Sequence, residues 1–561
     1  MKINKNLVLS LIFSICLMVG TGCPLLADVK LPAIFGDHMV LQQEAKVPVW
    51  GKADAGEKVT VTVADHTAST AASADGTWRV DLAPFPNGAA PMTMTVQGKN
   101  TLTFQDVLIG EVWLCSGQSN MWFPMKASMY AKTDGAKADD PSLRLYIVPL
   151  KTSLDPQTDQ AGSWQLCTPE SIQEFSTAGY FFGREMRSVL KRPIGLIDSS
   201  MGNSVIQAWM SLSSLQQDPP FTSYITEYQK NVANFPTLNA DYAQRQSAYE
   251  TNLKNWTDQW SAKVKAYNEA AQQAKAAGQP PPPALSPADQ GPRPQAPAAP
   301  DEKERGPTNL FNAMISPLIP YAIKGALWYQ GESNTNMPME YRQLLVRMIT
   351  DWRTRWGEGD FPFVIVQLPT TGENAQWDNG AFMAESQAKA LSLPNTGMVA
   401  TIDIGRDDLH PKDKLDAGLR LALVARHIAY GENLVYSGPT YQSMTVEGNA
   451  IRLTFDNVGS GLTTGAPPWH PDNMHPAPPD KLLGFIIAGE DKKFVPADAK
   501  IDGSTVIVSS PQVPAPVAVR YAWTTPSAWK NVPYTFDFNL YNKDGLPAPL
   551  FRTDDWPTRF H

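Results

Sequence analysis

Ser119, in the stretch CSGQSNM (115–121), follows an apolar run that reads as a strand and precedes a segment that reads as the start of a helix. A hydroxyl so placed stands at a strand's carboxyl end, where helix N-terminal N–H groups can stabilise a developing negative charge. These are the requirements of a serine nucleophile; the competing reading is a helix-capping serine. Ser116 is less well placed and reads as a residue that shapes the turn. A nucleophilic serine needs a base, and the base needs an orienting group. The chain has seven histidines. His38 and His66 lie near the N-terminus and His561 at the very end, while His470 and His475 sit in the Pro-rich loop PPWHPDNMHPAPP. His427 falls inside an apolar helical pattern and reads as a packed or capping residue. His410 stands in DIGRDDLHPKDK, directly after an apolar strand, with Asp407 three residues before it. A short loop can present both to one site, although an Asp-x-x-His pair also occurs as a local hydrogen-bonded turn.

These residues require a scaffold that gathers distant strand ends. Apolar runs at 194–198 (IGLID), 325–329 (GALWY), 363–368 (FVIVQL) and 398–403 (MVATID) alternate with amphipathic helical patterns such as YRQLLVRMITDWRTRW. That grammar predicts a parallel sheet covered on both faces, with its site at the carboxyl ends of the strands. Short alternating strands with turn punctuation fill residues 28–108 and predict a β-sandwich. A similar texture over 433–561 predicts a second β-rich domain, leaving 109–432 as the catalytic domain. An insert at about 215–305 interrupts it. Tyr242, Tyr249, Leu253, Trp256, Trp260, Val264 and Tyr267 recur there at helical spacing, and a Pro-rich tract follows from Pro280 to Pro300. This pattern predicts a helical hairpin with an extended return, its aromatic stripe serving packing.

With 561 residues, 43% of them hydrophobic and 18% charged, the chain is long enough for several buried cores. Its net charge of -8 and pI near 5.5 argue against nucleic acid, whose phosphates call for clustered Lys and Arg. Lys2 and Lys5 precede an apolar run from Leu7 to Val19, which reads as an export signal within residues 1–27. Cleavage after Ala27 competes with a lipoprotein signal ending before Cys23, which would then carry a lipid anchor. Export implies the bacterial periplasm or cell surface, where Cys115 and Cys167 could pair or remain two buried thiols. Their spacing matches no metal motif.

CSGQSNM, GALWYQGESN (325–334) and DDLHP (407–411) together resemble the sialate O-acetylesterase family of SGNH hydrolases, which remove acetyl groups from sugar hydroxyls. AIFGDHMVLQQ and NLYNKDGLPAPLFRTDDW resemble that family's two ends. The resemblance implies an α/β fold, an SGNH-type, flavodoxin-like three-layer domain between the two β-sandwich-like regions. It also implies a Ser119 nucleophile, a His410 base and Asp407 as the third member, with Asp408 adjoining. The implied oxyanion hole comprises the Ser119 N–H, the Gly202 N–H of SSMGNSVIQAW, and a side-chain amide, Gln330 first and Asn334 second. Asn203 stands where many relatives carry a second glycine. Substrate-binding residues stay unassigned; no cofactor or metal is implied, and the implied partner is an acetylated carbohydrate: sialic acid, xylan or pectin.

Other chemistries lack their motifs. The last position of a G-x-S-x-G elbow is occupied by Met121, and no H-E-x-x-H occurs. Ser527 in SAWK falls in the terminal β-rich region, and Glu332 lacks the carboxylate partner of a glycosidase. The reading from another class is a non-catalytic glycan-binding protein, which predicts Ser119 and His410 far apart.

Overall fold

A computed structural model describes residues 28–86, 88–297, 306–368, 379–404, 409–465, 481–523 and 538–557. The expected signal with Cys23, Asp407, Asp408, His470, His475, Ser527 and His561 lie outside the described residues.

The protein is a mixed α/β structure organised on strand β1, Thr101–Gly117. Its first six residues alternate in exposure and its last eleven are all buried. The first half pairs antiparallel with Gly88–Gln97 in the N-terminal β region, and Val40–Gln42 joins it parallel at Leu108 to Gly110. The second half is a central strand of a parallel sheet, where both faces are covered and no polar alternation survives. One strand therefore crosses the 108/109 position expected as a domain boundary.

The remaining strands of this sheet are β2 (Asp140–Ile147), β3 (Trp164–Cys167), β4 (Ile194–Ser200), β5 (Gly325–Tyr329), β6 (Phe363–Val366) and β7 (Thr396–Val399). They lie in the order β7-β6-β5-β1-β4-β2-β3. All these pairings are parallel except the edge pair β2/β3. The chain reverses its direction of travel across the sheet at β1, the switch point where α/β sheets open a crevice.

Six helices matter for the site: α1 (Ser119–Trp122), α2 (Thr177–Leu190), α3 (Thr222–Ala276), α4 (Pro338–Trp356), α5 (Asn379–Ala388) and α6 (Leu415–Tyr430). Trp113 of β1 packs edge-on against Phe182 of α2, and Gly418 of α6 meets the α2 backbone at Ala178 and Phe182. Trp328 of β5, three residues beyond Trp113's level neighbour Gly325 and so on the opposite face, instead meets Trp352 of α4 at 5.8 Å. Side chains alternate along a strand, so α2 with α6 and α4 cover opposite faces.

The insert is one 55-residue helix, α3, and not a helical hairpin. Its partner is the extended Pro-rich return, where Trp256 Nε1 donates to the Gly291 carbonyl and Lys263 Nζ to that of Asp289. Proline removes N–H donors, so the return runs alongside the half-buried aromatic stripe without forming a second long helix. Pro236 lies within α3, on an exposed stretch.

Small antiparallel sheets make up the C-terminal region, one from Thr440–Glu447, Ala450–Asp456, Thr505–Ser509 and Asp498–Asp502. A second core fills this region and takes in Ala381, Phe382 and Ala384 of α5, with Phe382 edge-on to Trp523. Cys115 and Cys167 are both free and buried, so no disulfide joins them. Burial pushes the Cys115 thiol well above its usual range. Among the described residues, no helix is long and apolar enough to cross a membrane.

Candidate active site

Three strand ends lie level. Gly117 of β1 is opposite Ser200 of β4 on one side and Tyr329 of β5 on the other. Ser119 and Gly202 follow two residues beyond this line and Gln330 one residue beyond it, which is how distant blocks reach one place. Gly117 makes the approach feasible: its φ is +141°, and a Cβ there would stand 2.2 Å from the Tyr329 carbonyl oxygen. The Gln118 N–H then donates to that oxygen at 3.0 Å. Its side-chain Oε1 accepts from the N–H groups of Gly331 and Ser333 at 3.2 and 3.3 Å, holding the turn after β5 against the Ser119 loop.

Ser119 is the first residue of α1, preceded by Gln118 in extended conformation with no side-chain cap bond. It is therefore not the capping residue; the Met121 and Trp122 N–H groups donate to the Gln118 carbonyl, which leaves the Ser119 and Asn120 N–H groups at the helix start without an intrahelical acceptor. Its Oγ lies 2.8 Å from His410 Nε2. A neutral imidazole protonated on Nδ1 accepts the Ser119 proton at this nitrogen. The His410 ring stacks near Phe123, with centroids 6.5 Å apart. Asp407 lies outside the described residues.

Gly202 lies over the serine: a Cβ built on it would be 3.8 Å from Ser119 Cβ and 3.6 Å from the Trp122 ring. Asn203, the departure from a second glycine, adopts φ +59°, the left-handed region that Asn tolerates better than other side chains. The backbone path that a glycine would permit is thus kept.

The two amides are placed differently. Gln330 Nε2 donates to the Ser204 carbonyl at 3.1 Å and to Asn334 Oδ1 at 2.8 Å, so both its protons are committed. Its other atom, Oε1, is an acceptor with no donor among the described residues, the wrong polarity for an oxyanion. Gln330 therefore braces the loop and offers no proton to an oxyanion. Asn334 Oδ1 also accepts from the Ile206 N–H, and its Nδ2 donates to Gln207 Oε1 at 3.1 Å. With two protons on that nitrogen, Asn334 is the better amide candidate.

The segment bearing His410 runs from β7 to α6 and is pinned at both ends. At its root Asp403 forms a two-bond pair with Arg420, at 2.7 and 2.6 Å, each side chain 3% exposed. Burial opposes the Arg420 charge, but Asp403 and Asp416 override it and raise the guanidinium's pKa. At its far end Tyr130 donates to Asp413 at 3.0 Å and Lys414 Nζ to Asn120 Oδ1 at 2.7 Å.

Several functional candidates were not singled out from sequence. Asn120 and Lys414 are 2% and 0% exposed polar residues beside the Ser119–His410 pair. Trp122 is 41% exposed next to Ser119, and Leu409 is exposed beside His410. Adjacency to Ser119 and His410 in the chain was the available signal. His427 serves packing: it stacks on Tyr436 at 3.9 Å and its Nδ1 lies 3.1 Å from the Glu432 carbonyl. No group of three or more His, Cys, Asp or Glu among the described residues could hold a metal ion.

Comparison with known proteins places this chain in a family. A family model described as carbohydrate esterase, sialic acid-specific acetylesterase, matches residues 302–424, which include Gln330, Asn334 and His410. The chain is similar to the sialate O-acetylesterase of Homo sapiens, with 28% identity over 99% of this chain and 98% of that protein. It resembles that of Mus musculus at 27% identity, over 93% of this chain and 94% of that one. A crystal structure of a carbohydrate acetylesterase from Xanthomonas citri is 34% identical and superposes with a TM-score of 0.73, covering 94% of this chain and all of that one. With that identity maintained along nearly the whole length of both chains, this protein belongs to the sialate O-acetylesterase family of carbohydrate acetylesterases and is an ester hydrolase.

Proposed function

We propose that the protein is an exported O-acetylesterase that removes acetyl groups from sugar hydroxyls by a serine mechanism on an SGNH-type, flavodoxin-like domain, with sialic acid as the leading substrate. The observation that carries this reading is the 2.8 Å contact of Ser119 Oγ with His410 Nε2 at the carboxyl end of the parallel sheet. The strand order β4-β1-β5-β6-β7 inside the edge pair supports the domain type. The relatives named for sialate support the substrate.

In the first half-reaction His410 Nε2 takes the Ser119 proton as Oγ bonds to the acetyl carbonyl carbon. The tetrahedral oxyanion is met by the N–H groups of Ser119 and Gly202 and by the Asn334 amide, donors of a kind worth about 10² to 10³ each in rate. His410 returns the proton to the sugar oxygen as the C–O bond breaks, leaving an acetyl-serine. Water then gives a proton to His410 and attacks that ester; acetate leaves and Ser119 recovers its proton. Asp407 is the residue for the imidazole Nδ1–H, holding the tautomer and the charged form.

Acetate release from an aryl acetate, O-acetylated sialic acid, acetylated xylan and acetylated pectin tests the proposal. Ser119→Ala should abolish release from every active substrate with the fold intact by circular dichroism. Retained activity in that variant overturns the mechanism, and preference for xylan or pectin overturns the sialate assignment. Fractionation of cells expressing the full chain tests export, which cytoplasmic retention would refute.

A further inference from the structure

We infer that Asn120, held between Glu332 and Lys414, is a positioning residue that fixes the His410 loop against Ser119 by hydrogen-bonding the Leu409 carbonyl. This inference rests on the reading of Ser119 and His410 as the reacting pair.

The orientation of the Asn120 amide follows from its partners. Lys414 Nζ, which can only donate, meets Oδ1 at 2.7 Å. Nδ2 meets two groups that can only accept, Glu332 Oε1 at 2.5 Å and the Leu409 carbonyl at 3.0 Å. One lone pair and both amide protons are thus used, and the amide cannot turn over without setting like against like at all three contacts. Leu409 directly precedes His410, so the Leu409 carbonyl is the backbone handle on the imidazole. Asn120 directly follows Ser119 on α1, so one rigid turn carries the nucleophile and the group that holds its base.

The network draws on three separated parts of the fold. Glu332 lies in the turn after β5, the same turn that Gln118 clamps through the Gly331 and Ser333 N–H groups. Lys414 stands at the start of α6 and also faces the rings of Phe123 and Tyr329, at 5.0 and 5.4 Å from their centroids. Burial raises the Glu332 carboxyl's pKa, against hydrogen bonds from Asn120 and the local backbone and the attraction of Lys414. Glu332 Oε2 is buried with no partner among the described residues, so Asn120 is the side chain that donates to this carboxylate. Asn120 is itself 2% exposed, which places it behind the reacting atoms and not in the substrate's path.

Asn120→Asp keeps the shape and the acceptor for Lys414, but sets an oxygen against Glu332 and the Leu409 carbonyl. Misplacement of a reacting group by about 1 Å can cost about 10² in rate. Asn120→Asp should lower kcat for an aryl acetate about 100-fold, with KM within about threefold, and slow fluorophosphonate labelling of Ser119 by a similar factor. Glu332→Gln, which retains an acceptor at Oε1, should stay within about tenfold of wild type, while Glu332→Leu should fall as far as Asn120→Asp. Should Asn120→Asp fail to fold, the Glu332 pair decides. Wild-type kcat in a folded Asn120→Asp, or equal losses in Glu332→Gln and Glu332→Leu, overturns the inference. If instead Ser119→Ala remains active, the reading of the reacting pair is what fails; an inactive Ser119→Ala beside a fully active Asn120→Asp refutes the positioning role alone.

Discussion

Tyr541, from the C-terminal β region, donates its hydroxyl to Asp403 at 2.9 Å, at the root of the segment that carries His410. The C-terminal region is thereby joined to the His410 segment through a buried carboxylate that Arg420 already neutralises. Tyr541→Phe should cost about 1 kcal/mol of stability, the ordinary worth of one hydrogen bond, with a modest loss of kcat. Arg420→Met should cost about 3–5 kcal/mol, because it leaves Asp403 and Asp416 buried without their cation. Chemical denaturation of the two variants checks both; equal effects would show that the ion pair does not carry the loop.

Gly202→Ala tests the glycine over Ser119. No left-handed φ and no backbone clash oppose the methyl, whose nearest neighbours are ordinary contacts at 3.6 to 3.8 Å. The variant should fold with unchanged melting temperature. Its added carbon faces Ser119, where the proposed tetrahedral adduct would form, so kcat/KM should fall about 10- to 100-fold, reaching at most the lower end of the about 10² to 10³ lost with one oxyanion donor. Steady-state assay beside thermal melting separates the two effects.

Gly117→Ala, by contrast, should damage folding. Its φ of +141° and the 2.2 Å approach to the Tyr329 carbonyl oxygen leave no place for Cβ. Backbone strain alone adds about 1–3 kcal/mol, before the strand pairing with β5 is disturbed. A lowered melting temperature and poor soluble yield are expected, and a wild-type melt would contradict the close approach.

Trp122→Ala addresses the sugar. An exposed indole beside Ser119 is suited to stacking on a pyranose face and contributes little to a small aryl ester. KM for an O-acetylated glycan should rise severalfold while that for aryl acetate stays nearly constant. Parallel rises in both would assign Trp122 to the shape of the site instead.

Stability should depend on pH through Asp198, near the carboxyl end of β4. Burial pushes its carboxyl up from 3.8 to about 7, opposed by bonds from Ser200 and the Ser176 backbone. The folded state then retains this proton at a pH where the unfolded chain has released it. Its contribution is full below pH about 4 and is lost as pH rises toward and through about 7. Asp198→Asn should flatten that part of the melting-temperature profile, and an unchanged slope between pH 4 and 8 would exclude Asp198 as its source.

The apolar strands and the Ser119 and His410 blocks were legible because each has a local pattern: continuous hydrophobicity for a doubly covered strand, and a polar residue just past its end. Gln330 against Asn334 was not legible, since four residues separate two amides and only their partners show which protons are spent. Asn120 and Lys414 read as ordinary polar residues; burial that brings positions 120, 332 and 414 together depends on the register of β1 with β5 and on the docking of α6. The insert misled for another reason. Aromatic periodicity specifies a helix face but not its cover, and an extended Pro-rich return covers this one as a second helix would.

β1 runs without interruption from the N-terminal β region to the turn before Ser119. Its first half gains its hydrogen-bond partners from one region and its second half from another, so the two share a beam and are not joined by a tether. Residues 28–100 consequently cannot be trimmed away like an appended module: removal would strip the lower half of that beam of its neighbours and leave a bare ribbon leading to Ser119. For anyone seeking a minimal esterase from this chain, the useful cut lies elsewhere, at the protruding insert, whose long helix rises from the scaffold without contributing a strand to it.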